Sequence, residues 1–149
     1  MTDISAPPQP ASTMTLDAMI HFPEGLLGFP GELNYQLAEG PGSGLYWLIP
    51  SSGPAAPFLL SDPFTYFDGY TLELSQEHVR RIDAEEASDV VVLAVTVPNA
   101  SDAWTANLQG PIVINVDKAV GAQLVLPGDS EGLRRAFAPE LGPALGVAV

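Results

Sequence analysis

Apolar residues along the chain fall into short runs separated by Pro, Gly, Asp and Ser. The runs cover residues 18–22, 33–37, 45–49, 58–60, 70–74, 90–97, 103–108, 112–116 and 122–126. Each has the length of a strand, and the punctuation recurs too closely for long helices. In 70–74 the alternation is plain: Tyr70, Leu72 and Leu74 face one way, Thr71 and Glu73 the other. The run Val90-Val91-Val92-Leu93-Ala94-Val95-Thr96-Val97 is apolar on both faces, which predicts a central strand covered on both sides. The pattern predicts a mainly β domain, a small antiparallel β-barrel or strongly twisted sheet with one or two short helices.

Two positions suit helices. Ser75 can cap one over residues 76–82, with Glu77 at its positive end and Arg80 and Arg81 near its negative end. Asp129 or Ser130 can cap a second over 131–137, stopped by Pro139. Between the runs at 103–108 and 112–116 lies Gln109-Gly110-Pro111. Gly110 tolerates positive φ, and Pro111 fixes its own φ while lacking an N–H, so a hairpin turn is expected there. Residues 1–16, rich in Pro, Ser, Thr and Ala, are expected to be disordered. The folded domain should span 17–137. Residues 138–149, apolar but broken by Gly142, Pro143 and Gly146, read as a loosely ordered tail.

Composition narrows the partners. A chain of 149 residues fits one domain with a real core. Its formal net charge is -13, from 18 acidic residues against 5 basic ones. Such a field repels phosphate backbones, so direct nucleic-acid binding is not expected, whereas a basic protein partner is drawn in faster. Cysteine is absent, which removes disulfides, thiolate nucleophiles and Cys-based zinc sites. The first residues lack the basic and apolar regions of a signal peptide. No run approaches the ~20 apolar residues of a membrane helix, and Lys and Arg are too few for a surface-binding one. A soluble, cytoplasmic protein is expected.

Candidate chemistry is thin. Gly25, Gly28 and Gly31 match neither the dinucleotide fingerprint nor the phosphate loop, and read as a turn between strands. His21 and His78 are the only histidines and lie far apart, so no metal site is expected. Ser51-Ser52-Gly53 has no basic neighbour to activate it, and no Gly-x-Ser-x-Gly elbow exists. No catalytic residue and no cofactor are assigned, and the chain does not read as an enzyme. Two acidic groups stand out. Asp83, Glu85, Glu86 and Asp89 form either a solvated loop that aids solubility or a steering patch. Asp62, Asp68 and Glu73 surround Phe64, Tyr66, Phe67 and Tyr70, which form either an acid-rimmed binding surface or part of the core.

Four ordered blocks carry a resemblance. They are Ile20-His21-Phe22-Pro23-Glu24-Gly25-Leu26-Leu27-Gly28-Phe29-Pro30, the run from Leu59 through Asp62-Pro63-Phe64-Thr65-Tyr66-Phe67-Asp68-Gly69-Tyr70, the run Thr105-Ala106-Asn107-Leu108-Gln109-Gly110-Pro111-Ile112-Val113-Ile114-Asn115, and Val120-Gly121-Ala122-Gln123-Leu124-Val125-Leu126. Together, over roughly residues 17–137, they resemble the flagellar assembly factor FliW family. The resemblance implies a small β-rich barrel without catalytic activity, monomeric on its own. It implies binding to flagellin before export and to the RNA-binding translational regulator CsrA, whose block on flagellin synthesis is relieved allosterically. The alternative is a generic acidic β-barrel adaptor for a flagellin-type client that lacks CsrA binding. Residues and resemblance together nominate Asp62, Phe67, Asp68, Tyr70 and Glu73, with Asn107 and Ile112 of the expected hairpin, as the partner-binding set. The cluster Asp83, Glu85, Glu86 and Asp89 is the alternative patch. Two features depart from the family pattern: Thr71 stands where an acidic residue usually follows the tyrosine, and the loop over 51–57 carries no charge.

Overall fold

Strand β5 (Val90–Val97) is the hub of the molecule, as its two apolar faces require. In the computed structural model, which describes residues 10–14, 16–52, 56–98, 103–127 and 130–141, three layers meet on it. Val91 and Leu93 point into a barrel interior shared with Phe22, Tyr35, Leu48 and Ile114. Val90 and Val92 point outward beneath Leu74, Val79, Ile82 and Ala87. Ala94 lies under a third cluster that contains Phe137, Phe67 and Trp104.

The other strands are β1 (Met19–His21), β2 (Asn34–Glu39), β3 (Leu45–Pro50), β4 (Phe58–Ser61), β6 (Trp104–Ala106), β7 (Ile112–Asn115), β8 (Val120–Gln123) and β9 (Arg135–Phe137). Their order is β4-β3-β2-β1-β8-β7-β5-β6-β9, and a further β4–β5 pairing closes the first seven into a barrel. Closure removes the sheet edges that a small β domain must otherwise protect. The wall is antiparallel except at one seam, where β1 runs parallel to β8 through the single pair His21↔Val120. Most of the chain separates those two strands, which is what a parallel pairing demands. The expected small antiparallel barrel is thus present, with this one parallel seam in its wall.

The expected hairpin at Gln109-Gly110-Pro111 is not a hairpin. β6 and β7 do not pair with each other; both lie antiparallel along the same side of β5, through Thr96↔Ala106 and Leu93↔Ile112. Residues 107–111 face only 94–95, so the segment is a wide bulge inside one interrupted strand. Asn107 holds the bulge, its Oδ1 accepting from the backbone N–H groups of Gln109 and Gly110, both at 3.0 Å. Gln123 Nε2 donates to Gly110 O at 2.9 Å, and Gln123 Oε1 accepts from Leu27 N at 2.9 Å. One glutamine thus ties the bulge to the loop over 23–30.

Two further expectations change, and one helix stands. Residues 70–74 keep their alternation, with Leu74 buried and Thr71 and Glu73 exposed, but form no ladder. The pattern needs only an extended backbone, and here that backbone lies as a cover over the barrel. The first helix stands as α2 (Gln76–Arg80), capped by Ser75, whose side chain accepts from His78 N while His78 Nδ1 accepts from Ser75 N. The second helix is replaced by a 3-10 turn at Ser130–Arg134 followed by β9. Gly132 weakens a helix there, and β6 offers an open edge. A different helix, α1 (Pro63–Tyr66), follows Asp62, with proline in its first turn.

Packing also reaches beyond 17–137. Ala11 is 3% exposed and Met14 8%, both against the barrel interior. Within the expected tail, Ser43 N donates to Glu140 O at 3.0 Å and Leu141 bridges to Gly42. Residues 1–9, 15 and 142–149 lie outside the described residues.

Gly121 shows how tightly the interior is filled: a Cβ there would meet the Phe22 ring at 2.5 Å. Phe22 is fully buried and has nowhere to go. Gly121→Val should therefore destabilise the fold by about 1–3 kcal/mol, the usual cost of overpacking, as read from the urea midpoint at unchanged m-value.

Candidate functional site

Asp62 organises the surface that the sequence nominated. Its side chain accepts from Phe64 N at 3.0 Å and from Thr65 Oγ1 at 3.2 Å, which starts α1 directly after β4. Burial pushes the Asp62 carboxyl above its ordinary range, against the lowering effect of those hydrogen bonds. Asp62 is thus half-buried and committed to a cap rather than free for a partner.

The aromatics divide between core and surface. Tyr66 and Phe67 turn toward Phe137, with ring centroids 4.8 and 5.5 Å away, and Trp104 closes the cluster at 6.5 Å. Tyr66 Oη donates to Ser43 O and accepts from Glu140 N, so α1 is tied to the β2–β3 turn and to the segment after β9. The Arg135 guanidinium lies 5.9 Å from the centre of the Phe67 ring. Phe64 turns outward and remains 42% exposed, with its ring edge-on to Tyr70 at 4.9 Å. Burial pushes the Tyr70 phenol up to about 12, and its buried hydroxyl has no hydrogen-bond partner. Asp68 and Glu73, close to Tyr70 in the chain, are exposed. Of this stretch, Phe64, Asp68 and Glu73 are therefore exposed and Tyr70 is half-buried. Phe64 was noted among the aromatics but not nominated, although its place just after the Asp62-Pro63 helix start favours an outward side chain.

Asn107 and Ile112 have structural roles. Asn107 is half-buried and spends its carbonyl on the bulge, the backbone role expected of an asparagine beside a turn. Ile112 is fully buried in the barrel interior, so its nomination as a contact residue is corrected. It opens β7, where the restored ladder with β5 requires an inward apolar side chain. The alternative patch is also divided. Asp83, at φ 56°, Glu85 and Glu86 are exposed. Asp89 Oδ2 instead accepts from the N–H groups of Glu85 and Glu86, at 3.2 and 3.3 Å.

Both histidines serve structure, His78 in the α2 cap and His21 through Asn34 at 2.9 Å. Among the described residues, no group of three or more His, Cys, Asp or Glu side chains is placed to hold a metal ion. No helix among them is long and apolar enough to cross a membrane.

Comparison with known proteins agrees with this architecture. A family model described as FliW protein matches residues 10–137. The flagellar assembly factor FliW of Natranaerobius thermophilus is 38% identical over 117 residues, covering 76% of this chain and 78% of that one. Its counterpart in Symbiobacterium thermophilum is 32% identical over 122 residues, covering 80% and 88%. A crystal structure of the flagellar assembly factor FliW superimposes with a TM-score of 0.72 at 31% identity, covering 82% of this chain and 86% of that one.

Two substitutions separate the structural roles at this site. Asn107→Ala leaves two backbone N–H groups without their acceptor and should cost about 1–2 kcal/mol, seen as a lowered Tm. Asp62→Asn keeps a capping side chain but removes a buried charge. Because the folded Asp62 pKa lies above its ordinary 3.8, the stability it contributes is complete below that value and lost as pH rises through the folded pKa. The Tm of Asp62→Asn relative to the parent should accordingly rise with pH across that window; a flat difference would refute the assignment.

Proposed function

This chain belongs to the FliW family, and on that premise we propose that it is a non-enzymatic flagellar assembly factor of the cytoplasm that works by binding flagellin and CsrA. Capture of CsrA antagonises it allosterically, so that flagellin synthesis follows filament assembly. The observation that carries this reading is the exposure of Phe64, Asp68 and Glu73 within one short stretch, an aromatic side chain and two acids on a chain of net charge -13. The inner aromatics are packed beneath it, which holds the outer ones in place without the ordering cost of a mobile loop. An RNA-binding regulator must itself present basic surface, and such a surface is attracted to this face.

A second reading keeps the flagellin-type client and drops CsrA. Thr71 is exposed where the family usually carries an acid, and that lost charge favours an adaptor with a narrower partner range.

Glu73→Lys tests the face. Glu73 is exposed, so the substitution should move stability by less than ~0.5 kcal/mol while slowing association with CsrA several-fold. Association of the parent should slow as salt rises, because screening shortens the reach of the acidic field. Stopped-flow rates and Tm for both proteins give the answer. If Glu73→Lys associates with CsrA and flagellin like the parent, the face is wrong and Asp83, Glu85 and Glu86 become the better candidates.

A further inference from the structure

The parallel seam stops after one rung, and the reason is chemical. In a parallel ladder through His21↔Val120, His21 N donates to Ala119 O, which it does at 2.9 Å. The next donor to reach across from β1 would be the backbone nitrogen of residue 23, aimed at Gly121 O. Residue 23 is proline and has no N–H. The chain then turns away, with Gly25 N donating back to Phe22 O at 2.9 Å.

β8 continues without it. On its other side β8 pairs with β7 through Val113↔Ala122 and Asn115↔Val120, and Leu124 N donates to Pro111 O at 2.9 Å. This parity points the peptide groups of Gly121 and Gln123 away from β7, into the gap that β1 leaves. Among the described residues, no backbone group of the loop over 23–30 bonds to Gly121 O or Gln123 N. The gap is a cleft of about 340 Å³, walled by that loop, Arg81 and residues 121–123. Its volume falls within the roughly 300–1,000 Å³ of ligand sites. Its lip carries Leu27, 57% exposed, and the ion pair of Arg81 with Glu24 at 2.9 Å, in which the Glu24 side chain is 77% exposed.

We propose that this cleft is a second docking site, which takes an extended segment of a partner protein as an added strand on β8. The segment's backbone donates to Gly121 O and accepts from Gln123 N, completing the ladder that Pro23 interrupts. Its side chains lie against Leu26, Leu27 and Pro30, so its centre is small and apolar. Its flanks are basic, because the lip presents Glu24 within a field of net charge -13. The cleft shares no lining residue with Phe64, Asp68 and Glu73, and the proposal stands or falls independently of theirs.

The test uses the full chain, labelled with nitrogen-15, and an acetylated, amidated peptide Lys-Val-Ala-Val-Lys. Saturable shifts are expected at the amides of Gly121, Gln123 and Gly25–Gly28. The same peptide with its three central amides methylated keeps the side chains but loses its donors, and should bind at least about tenfold more weakly. Glu24→Lys, at an exposed position, should weaken the unmethylated peptide several-fold with little change in Tm. Three results would overturn the proposal. One is the absence of saturable shifts at 121–123 up to millimolar peptide. Another is equal binding by the methylated peptide. The third is movement of the same amides on diluting the protein alone, which would make the occupant a second copy of this chain. Undiminished binding by Glu24→Lys would overturn the basic flanks.

Discussion

An eight-residue strand without a polar face cannot lie at the surface of a small domain, and Val90–Val97 forces three layers to assemble around it. The interior layer is the barrel itself, which supplies Phe22, Tyr35 and Leu48 against Val91 and Leu93. The outer layer exists because Val90 and Val92 point the other way, and fully burying such a side chain is worth about 1.5–3 kcal/mol. That gain explains why residues 70–89, which form no strand of the sheet, are nonetheless ordered across its outside. At Ala94 the strand narrows to a methyl group, and Phe137 settles there among Tyr66, Phe67 and Trp104. Helix α1, which carries the exposed Phe64, packs against this last cluster through Tyr66, so its position follows from the same strand.

Much of this was legible in the chain. The runs at 18–22, 33–37, 45–49, 58–60 and 90–97 became strands because strand length, punctuation and burial all agreed, and Ser75 capped its helix as its chemistry required. What failed to show was pairing. Asn-x-x-Gly-Pro chemistry makes a tight local turn equally well in a hairpin and in a bulge, and only β5, running past both segments, decides between them. The alternation in 70–74 reported faces correctly but could not report the absence of a neighbouring strand. β9 was hidden because its formation depends on the open edge of β6 rather than on its own sequence. The site divided along the same line. Glu73 is placed outward by alternation alone, whereas only tertiary contacts show that Ile112 lies in the core and that Asp62 caps a helix.

Charge reinforces the division of labour on the surface. Only five side chains are Lys or Arg, and two of them are already engaged, Arg81 with Glu24 and Arg135 over the Phe67 ring. Little positive charge is left to interrupt the field over Asp68 and Glu73 or over Asp83, Glu85 and Glu86. Of the two acidic regions, the first lies close in the chain to an exposed aromatic ring, that of Phe64.

The seam between β1 and β8 gives the barrel an uneven resistance to opening. β2 and β3 share five residue pairs, whereas β1 and β8 share one, braced from outside by Leu27 on Gln123 and from inside by Phe22 against Gly121. A cylinder fastened along one line by a single rung opens there first, as a sub-global fluctuation well below the free energy of complete unfolding. In such an excursion β1, β2, β3 and β4 swing out together on the pairing of β4 to β5, while the strands on the other side of the hub keep their register. The wall of this barrel thus carries its own hinge line, drawn by the one proline that ends β1.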